Sequence, residues 1–237
     1  MSRITPNLVV FCREPRPGVG KQRLAADIGD RDAGRVAAVL WDCVREDLLA
    51  WPGDCVLAVT DPEEESWACS QAQQLRSDRH RANKNAAPQV LVQPAGNLGE
   101  RLMAIDAKLR SRGREQLIFI GSDAPELDRE QLDDIAIQLQ QSDIVLAPAL
   151  DGGVVAMAGR KPWPALADLP WSSELLGQAL AGRCRSAGQD VSMSRGSFDI
   201  DDWASLSYAG EMLRRDSRPT RRKLVALVTE LTAGRPS

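Results

Sequence analysis

The feature that most narrows the fold is a set of short, unbroken apolar runs separated by stretches of helical periodicity. Leu8–Cys12 (LVVFC), Cys55–Val59 (CVLAV), Gln89–Val92, Leu117–Ile120 (LIFI), Asp143–Ala147 (DIVLA) and Val154–Ala158 read as strands, most of them without period-2 alternation. A strand that is apolar at successive positions is buried on both faces, which suits a parallel sheet covered by helices. Between the runs, Val36, Leu40, Cys43, Val44 and Leu48 follow helical spacing. So do Leu98, Leu102, Ile105 and Leu109, and again Leu132, Ile135, Ala136 and Leu139. Pro52 and Gly53 end the first of these helices, and Pro62 opens a polar helical segment to about Ser77. Arg79–Pro88 reads as a polar linker, Ser173–Ser186 as a helix and Asp190–Met193 as a last strand. Pro219 splits two C-terminal helical segments. This alternation predicts an α/β chain with a mostly parallel sheet and helices on both faces.

Composition removes several function classes. A chain of 237 residues with no internal repeat fits one main domain, read here as 1–215, followed by a basic helical tail over 216–237. The net charge of −3 argues against a nucleic-acid binder, which carries a strongly basic domain. The longest run free of polar residues, Pro and Gly is six residues, Val36–Trp41, far short of the ~20 that span a membrane. Near the N-terminus charge returns directly after LVVFC, unlike a signal peptide, so a soluble, cytoplasmic protein is expected. The cysteines at 12, 43, 55, 69 and 184 form no CxxC pair and read as reduced, mostly buried thiols. His80 is the only histidine, set in RSDRHRANKN, and reads as a solvated loop residue. A triad hydrolase or a multi-histidine zinc site has little to build on. The run RRDSRPTRRK reads first as a solvated tail and second as a surface for an anionic partner.

In sheets of this kind ligands bind beyond the carboxyl ends of the strands, which selects three loops. The loop after Cys12 carries Arg13, Arg16, Lys21 and Arg23 against Glu14. Gly18 and Gly20 let its backbone N–H groups approach a ligand, so it suits a di- or triphosphate. Gln22 after the lysine excludes a Walker A loop, and Arg23 at the third glycine position excludes a Rossmann fingerprint. The bland reading is a solvated basic loop. In GSDAPEL, Asp123 follows a buried strand and can hold a hard divalent cation that also takes phosphate oxygens. Its plain alternative is a turn or helix cap, a job that Asp128 can fill. In PALDGGVV the Asp-Gly-Gly run is a hairpin turn, or it brings Asp151 to a substrate pocket with room left by the glycines. Later, SFDIDDW sets Asp199, Asp201 and Asp202 together, as a helix start or as a second carboxylate for the cation.

Taken in order, FCREPRPGVGKQRL, QPAGNLGERL, GSDAPEL, APALDGG, LPWSSE and FDIDDWASL form a longer pattern. They resemble the motifs K-x-P-x-P-G-x-x-K-T-R-L, G-x-L-G-x-R, G-S-D-x-P-x-L, G-P-x-x-D-G-G-Y, W-S-T and D-x-D-T-x-x-D-L. These belong to the bacterial glycosyltransferase-like family of GT-A fold, in the nucleotide-diphospho-sugar transferase superfamily and distantly related to phospholactate guanylyltransferase. The resemblance spans roughly residues 8–210. It implies a single-domain, Rossmann-like GT-A fold, a divalent cation (Mg2+ or Mn2+), and a nucleotide sugar or nucleoside triphosphate as ligand. Carried over by residue, it implies nucleotide contacts from Arg13, Gly18, Lys21, Arg23 and Ser122, and metal ligation by Asp123, Asp199 and Asp201. Gly152, Gly153, Trp171 and Ser172 would contact substrate, and Asp151 would bind or deprotonate the acceptor. The sequence departs from the pattern at Arg13 (lysine in the motif), Gln22 (threonine), Val154 (tyrosine), and Ala204 and Ser205 (acidic). The implied activity is sugar transfer to an acceptor that no motif specifies. Nucleotidyl transfer releasing pyrophosphate, or nucleotide binding without turnover, are the alternatives.

Overall fold

The computed structural model describes residues 5–81 and 87–234. Its strands are β1 (Asn7–Cys12), β2 (Cys55–Val59), β3 (Gln89–Val92), β4 (Leu117–Ile120), β5 (Ile144–Pro148), β6 (Val154–Gly159) and β7 (Val191–Met193). They form one sheet in the order β3-β2-β1-β4-β6-β5-β7. β1 lies parallel to β2 and β4, β2 to β3, and β5 to β7. β6 runs antiparallel to both β4 and β5. The Asp-Gly-Gly turn is the reason: it folds β6 back beside β5 as a hairpin, which a tight turn permits only between antiparallel strands. The sheet is therefore mixed but mostly parallel, as the apolar runs predict.

The helices are α1 (Gln22–Ile28), α2 (Asp30–Ala50), α3 (Glu65–Arg81), α4 (Leu98–Arg110), α5 (Arg129–Gln138), α6 (Leu176–Ser186), α7 (Trp203–Met212) and α8 (Pro219–Ala233). Residues of α2, α3 and α5 pack on one face of the sheet around Leu8, Val10, Leu57 and Ile118. Residues of α4 and α6 cover the other face, around Val9, Val56, Phe119 and Met157. Alternate residues of each strand thus enter opposite cores, which is why both must be apolar. A third cluster joins α1, α2, α7 and α8 around Leu24, Val36, Leu206 and Leu224.

Several boundaries differ from the sequence reading, each for a local reason. α1 occupies part of what reads as loop: its seven residues are too few for a clear apolar period, and Gly29 at φ 82 separates it from α2. α3 continues to Arg81 through the start of the expected linker, which places His80 in a helix, while residues 82–86 lie outside the described residues. α6 begins at Leu176 because Ser173 makes a turn instead, its Oγ accepting the Leu175 N–H at 3.3 Å. Asp128 caps α5, accepting the Gln131 N–H at 2.7 Å. All five cysteines are free, and all but Cys69 are buried. No helix among the described residues is long and apolar enough to cross a membrane.

In the basic C-terminal run Arg214, Arg215, Arg222 and Lys223 are exposed, as a solvated tail requires, but Arg218 and Arg221 are taken up inside the fold. Arg221 is 0% exposed. It donates to the carbonyls of Cys43 (2.8 Å), Pro125 (2.9 Å) and Leu127 (3.1 Å), and pairs with Asp47 (2.5 Å) and Glu46 (3.1 Å). Arg218 donates to Leu127 O at 2.8 Å and pairs with Asp216 at 2.6 Å. Both arginines therefore tie α8 to α2 and to the loop that follows Asp123. A guanidinium with five donors in a rigid fork suits this many-partner role, which a lysine could not fill.

Candidate functional site

Beyond the carboxyl ends of β1 and β4, Lys21 is the centre of a charged hub. It adopts a left-handed backbone at φ 51, uncommon for a residue with a side chain, and so turns its amine inward at the start of α1. The Lys21 ammonium lies 3.0 Å from an Asp123 carboxylate oxygen and 3.6 Å from one of Asp201, and it also donates to the Ile200 carbonyl. Burial pulls its pKa down, but Asp123, Asp201 and Asp199 together hold it above the ordinary lysine value. The backbone reinforces the meeting: Ile200 N–H donates to Asp123 O at 2.9 Å, and Ser197 N–H to Pro148 O at 2.9 Å. The late aspartates are thereby fixed between the loop after β4 and the β5–β6 hairpin. Asp202 does not join them; it caps α7, accepting the Ser205 N–H at 2.8 Å.

Three cavities open from this hub. A cleft of about 290 Å³ is lined by Arg13, Gly20, Lys21, Arg101, Ser122 and Asp123 among others. A second lobe of about 240 Å³ has walls from Phe11, Leu102, Phe119, Met157 and Trp171, with Asp123 and Asp199 as its ionisable groups. A third, of about 260 Å³, the polar lobe, holds Arg23, Asp151, Asp199, Asp201, Asp202 and Ser205 set among Leu150, Phe198, Ala204 and Tyr208. Asp123 is shared by the first two, Asp199 by the last two, and Asp201 by the first and third.

Arg101 is the residue that sequence reasoning missed. It projects from the first turns of α4, in the G-x-L-G-x-R segment whose arginine was available as a signal. Its guanidinium donates to Gln93 Oε1 at 3.3 Å and to Asn97 O at 3.4 Å. Gln93 is buried and is itself fixed by donating to Ala58 O at 2.7 Å. Among the described residues neither Arg101 nor Arg13 pairs with a carboxylate. Burial and the neighbouring Arg13 both push the Arg101 pKa below its usual value. Arg13 and Arg101 thus face the cleft as neighbouring positive charges, with Glu14, Asp123 and Asp201 also in its lining.

The remaining expected residues fall in different places. Ser122 and Asp123 line the cleft with Lys21, whereas Arg23 is exposed, pairs with Asp201 at 3.4 Å and faces the polar lobe. Gly18, at φ 75, shapes the exposed part of the loop. Asp151 reaches the polar lobe, one carboxylate oxygen accepting the Gly153 N–H at 2.8 Å. Gly152 packs beneath α6, where a Cβ would stand 2.0 Å from the Glu174 carbonyl oxygen. Trp171 lines the apolar lobe and donates its indole N–H to Leu166 O at 2.8 Å, next to an exposed Ser172 at φ 62.

The expected metal trio is brought to one hub, but Lys21 bridges two of its members. Among the described residues no group of three or more His, Cys, Asp or Glu side chains is arranged to hold a metal ion. Among the described residues Asp199 is the member of the trio that makes no direct ion pair, though it lies within the field of Lys21. Burial, then Asp123, Asp151 and Asp201, push its pKa up to about 6. A folded pKa above the unfolded value of about 3.9 means that stability falls as pH rises from about 4 through about 6. Solvent screening of this half-buried group reduces the effect to on the order of 1 kcal/mol. Asp199→Asn is therefore expected to melt about 2–4 °C higher than wild type at pH 7.5. Melts repeated near pH 4 should show the difference gone, and an equal difference at both values would contradict the assignment.

Comparison with known proteins places the fold. A "putative nucleotide-diphospho-sugar transferase" from Desulfovibrio desulfuricans G20 has the same fold, with a TM-score of 0.80 and 20% identity over 97% of this chain and 96% of that one. A cytidylyltransferase from Leptospira borgpetersenii serovar Hardjo-bovis is similar at a TM-score of 0.57, with 9% identity over 99% of each chain. A nucleotidyl transferase from Methanothermobacter is similar at a TM-score of 0.55, with 14% identity over 90% of this chain and 99% of that one. These are likenesses of fold, and they place the chain in the GT-A-like α/β architecture. No curated protein matches the chain. A family model described as "Uncharacterized protein conserved in bacteria (DUF2064)" matches residues 50–173, and the chain belongs to that family.

Proposed function

We propose that this protein is a nucleotide-dependent transferase that moves a sugar from a nucleoside-diphosphate sugar to an acceptor hydroxyl. The observation that carries the reading is the meeting of three chemically different cavities at one carboxylate–lysine hub. The arginine-lined cleft takes the diphosphate, because Arg13 and Arg101 offer charge-assisted hydrogen bonds that no carboxylate among the described residues occupies. The polar lobe offers Asp151, Asp202 and Ser205 to sugar hydroxyls. In the transfer, the acceptor oxygen bonds to the sugar carbon, and the bond from that carbon to the diphosphate oxygen breaks. The electron pair leaves with the nucleoside diphosphate, and the hydroxyl proton passes to Asp151. Arg13, Arg101 and Lys21 are in place to stabilise charge that develops on the leaving diphosphate.

Asp123 and Asp199 fit a magnesium or manganese ion. Both carboxylates line one lobe beside the cleft, and two carboxylates with phosphate oxygens are a usual donor set for such a hard cation. When bound, the ion would add a further positive charge beside the leaving group. Nucleotidyl transfer is the second reading, favoured by the same two free arginines, which suit a triphosphate equally. Incubation with a panel of nucleotide sugars and nucleoside triphosphates, with magnesium or manganese, separates the readings. Release of nucleoside diphosphate supports sugar transfer, and release of pyrophosphate supports the second reading. Binding without release of either would leave a nucleotide-binding protein without turnover and overturn both.

A further inference from the structure

The second lobe differs from its neighbours in having almost nothing for a hydroxyl group to bond. Phe11, Leu98, Leu102, Met157, Trp171 and Leu176 form its walls, and its ionisable groups are Asp123 and Asp199. The Trp171 indole N–H, the other polar side-chain group there, is taken by Leu166 O. Behind it, Phe119 and Ile120 of β4 are paired with Met157 and Ala156 of β6. A sugar ring placed here would bury several hydroxyls without partners, each weakening binding on the order of tenfold to a hundredfold. The lobe is firmly built. Gly99 lets α4 approach the 166–171 segment so closely that a Cβ would stand 2.3 Å from Leu166 O. Asn97 also donates to Ala167 O at 2.7 Å.

Val154 lines this lobe at the position where the resembled motif carries tyrosine. The smaller side chain leaves space that a phenol ring would enter. We propose that the lobe receives the apolar body of the acceptor, a small alcohol with an alkyl or aromatic body whose hydroxyl sits at the Asp199 end, where this lobe meets the one that holds Asp151. The inference rests on the transferase reading above and narrows its acceptor class. The volume of about 240 Å³ leaves room for about eight water-sized groups at ~30 Å³ each, a short chain or a single ring rather than a polymer.

Straight-chain alcohols from butanol to decanol, titrated into the whole protein with and without a nucleoside diphosphate, test this. Wild-type affinity should rise about fourfold per methylene until the lobe is full, then level off. Val154→Tyr should abolish that rise while leaving nucleotide affinity unchanged. Val154→Ala enlarges the lobe and should move the plateau to a longer alcohol, which keeps the test open should tyrosine prevent folding. Nucleotide binding with no chain-length dependence for the alcohols would overturn the acceptor class and leave the transferase reading standing. Alcohol binding with no nucleotide binding would overturn the transferase reading, and the acceptor role with it. Chain-length dependence unaltered in both Val154 variants would also overturn the proposal, by placing the alcohol elsewhere.

Discussion

Arg221→Ala is expected to lose about 3–5 kcal/mol of folding stability, the largest effect of any single substitution considered for this chain. The side chain is fully buried and joins α8 to α2 and to the loop after Asp123. Its removal leaves the Asp47 carboxylate short of its main partner, and the carbonyls of Cys43 and Pro125 lose a donor. A buried carboxylate left to the longer contact with Arg218 at 3.5 Å, and stranded acceptors, are what make such a deletion costly. For a chain of this length, thermal melting should fall by about 6–20 °C. Denaturant unfolding is the check, and a loss under 1 kcal/mol would show that the arginine is not a structural anchor. The same contacts position Pro125 and Leu127, two and four residues after Asp123. The folded fraction of the variant should therefore also bind nucleotide more weakly than wild type.

The sheet was legible because its strands are apolar on both faces. LVVFC, CVLAV and LIFI could fold into little else once helices were seen between them. The direction of β6 was half legible: the Asp-Gly-Gly turn implied a hairpin, and a hairpin implies an antiparallel strand. The role of Arg221 was hidden, because charge in a sequence says nothing of which arginines find buried carbonyls in another part of the chain. Its partners at 43, 47, 125 and 127 are remote from it in sequence. Asp123 and Asp201 were marked as a cation site from their motifs, yet no spacing rule shows that Lys21 would bridge them. Arg101 and Gln93 stood in a recognised segment, but their joint use is a tertiary fact. Gln93 is held by Ala58 of β2 and thereby aims Arg101 at the cleft.

The second large effect is expected from replacing the two arginines of the cleft. Arg13→Ala combined with Arg101→Ala should weaken nucleoside diphosphate binding by about 3–6 kcal/mol, a factor of at least a hundred. Each arginine contributes charge-assisted hydrogen bonds, at about 1.5–3 kcal/mol apiece. The fold should survive, since neither makes an ion pair with a carboxylate among the described residues, and loss of their mutual repulsion offsets loss of contacts. The two single variants should each show part of the loss. Calorimetric titration alongside thermal melts checks both halves of the expectation. An unchanged affinity in a folded double variant would remove the phosphate from this cleft.

The central claim is that this hub binds a nucleotide through its diphosphate, with a divalent cation completing the charge balance at Asp123 and Asp199. The most direct test is calorimetric titration of a nucleoside-diphosphate sugar into the wild-type protein, once with manganese and once with a chelator. The account predicts saturable binding at one site per chain that tightens at least tenfold when manganese is present, because a cation held between carboxylates and phosphate oxygens couples the two binding events. Absence of saturable binding in either condition, across the common nucleoside bases, would contradict it.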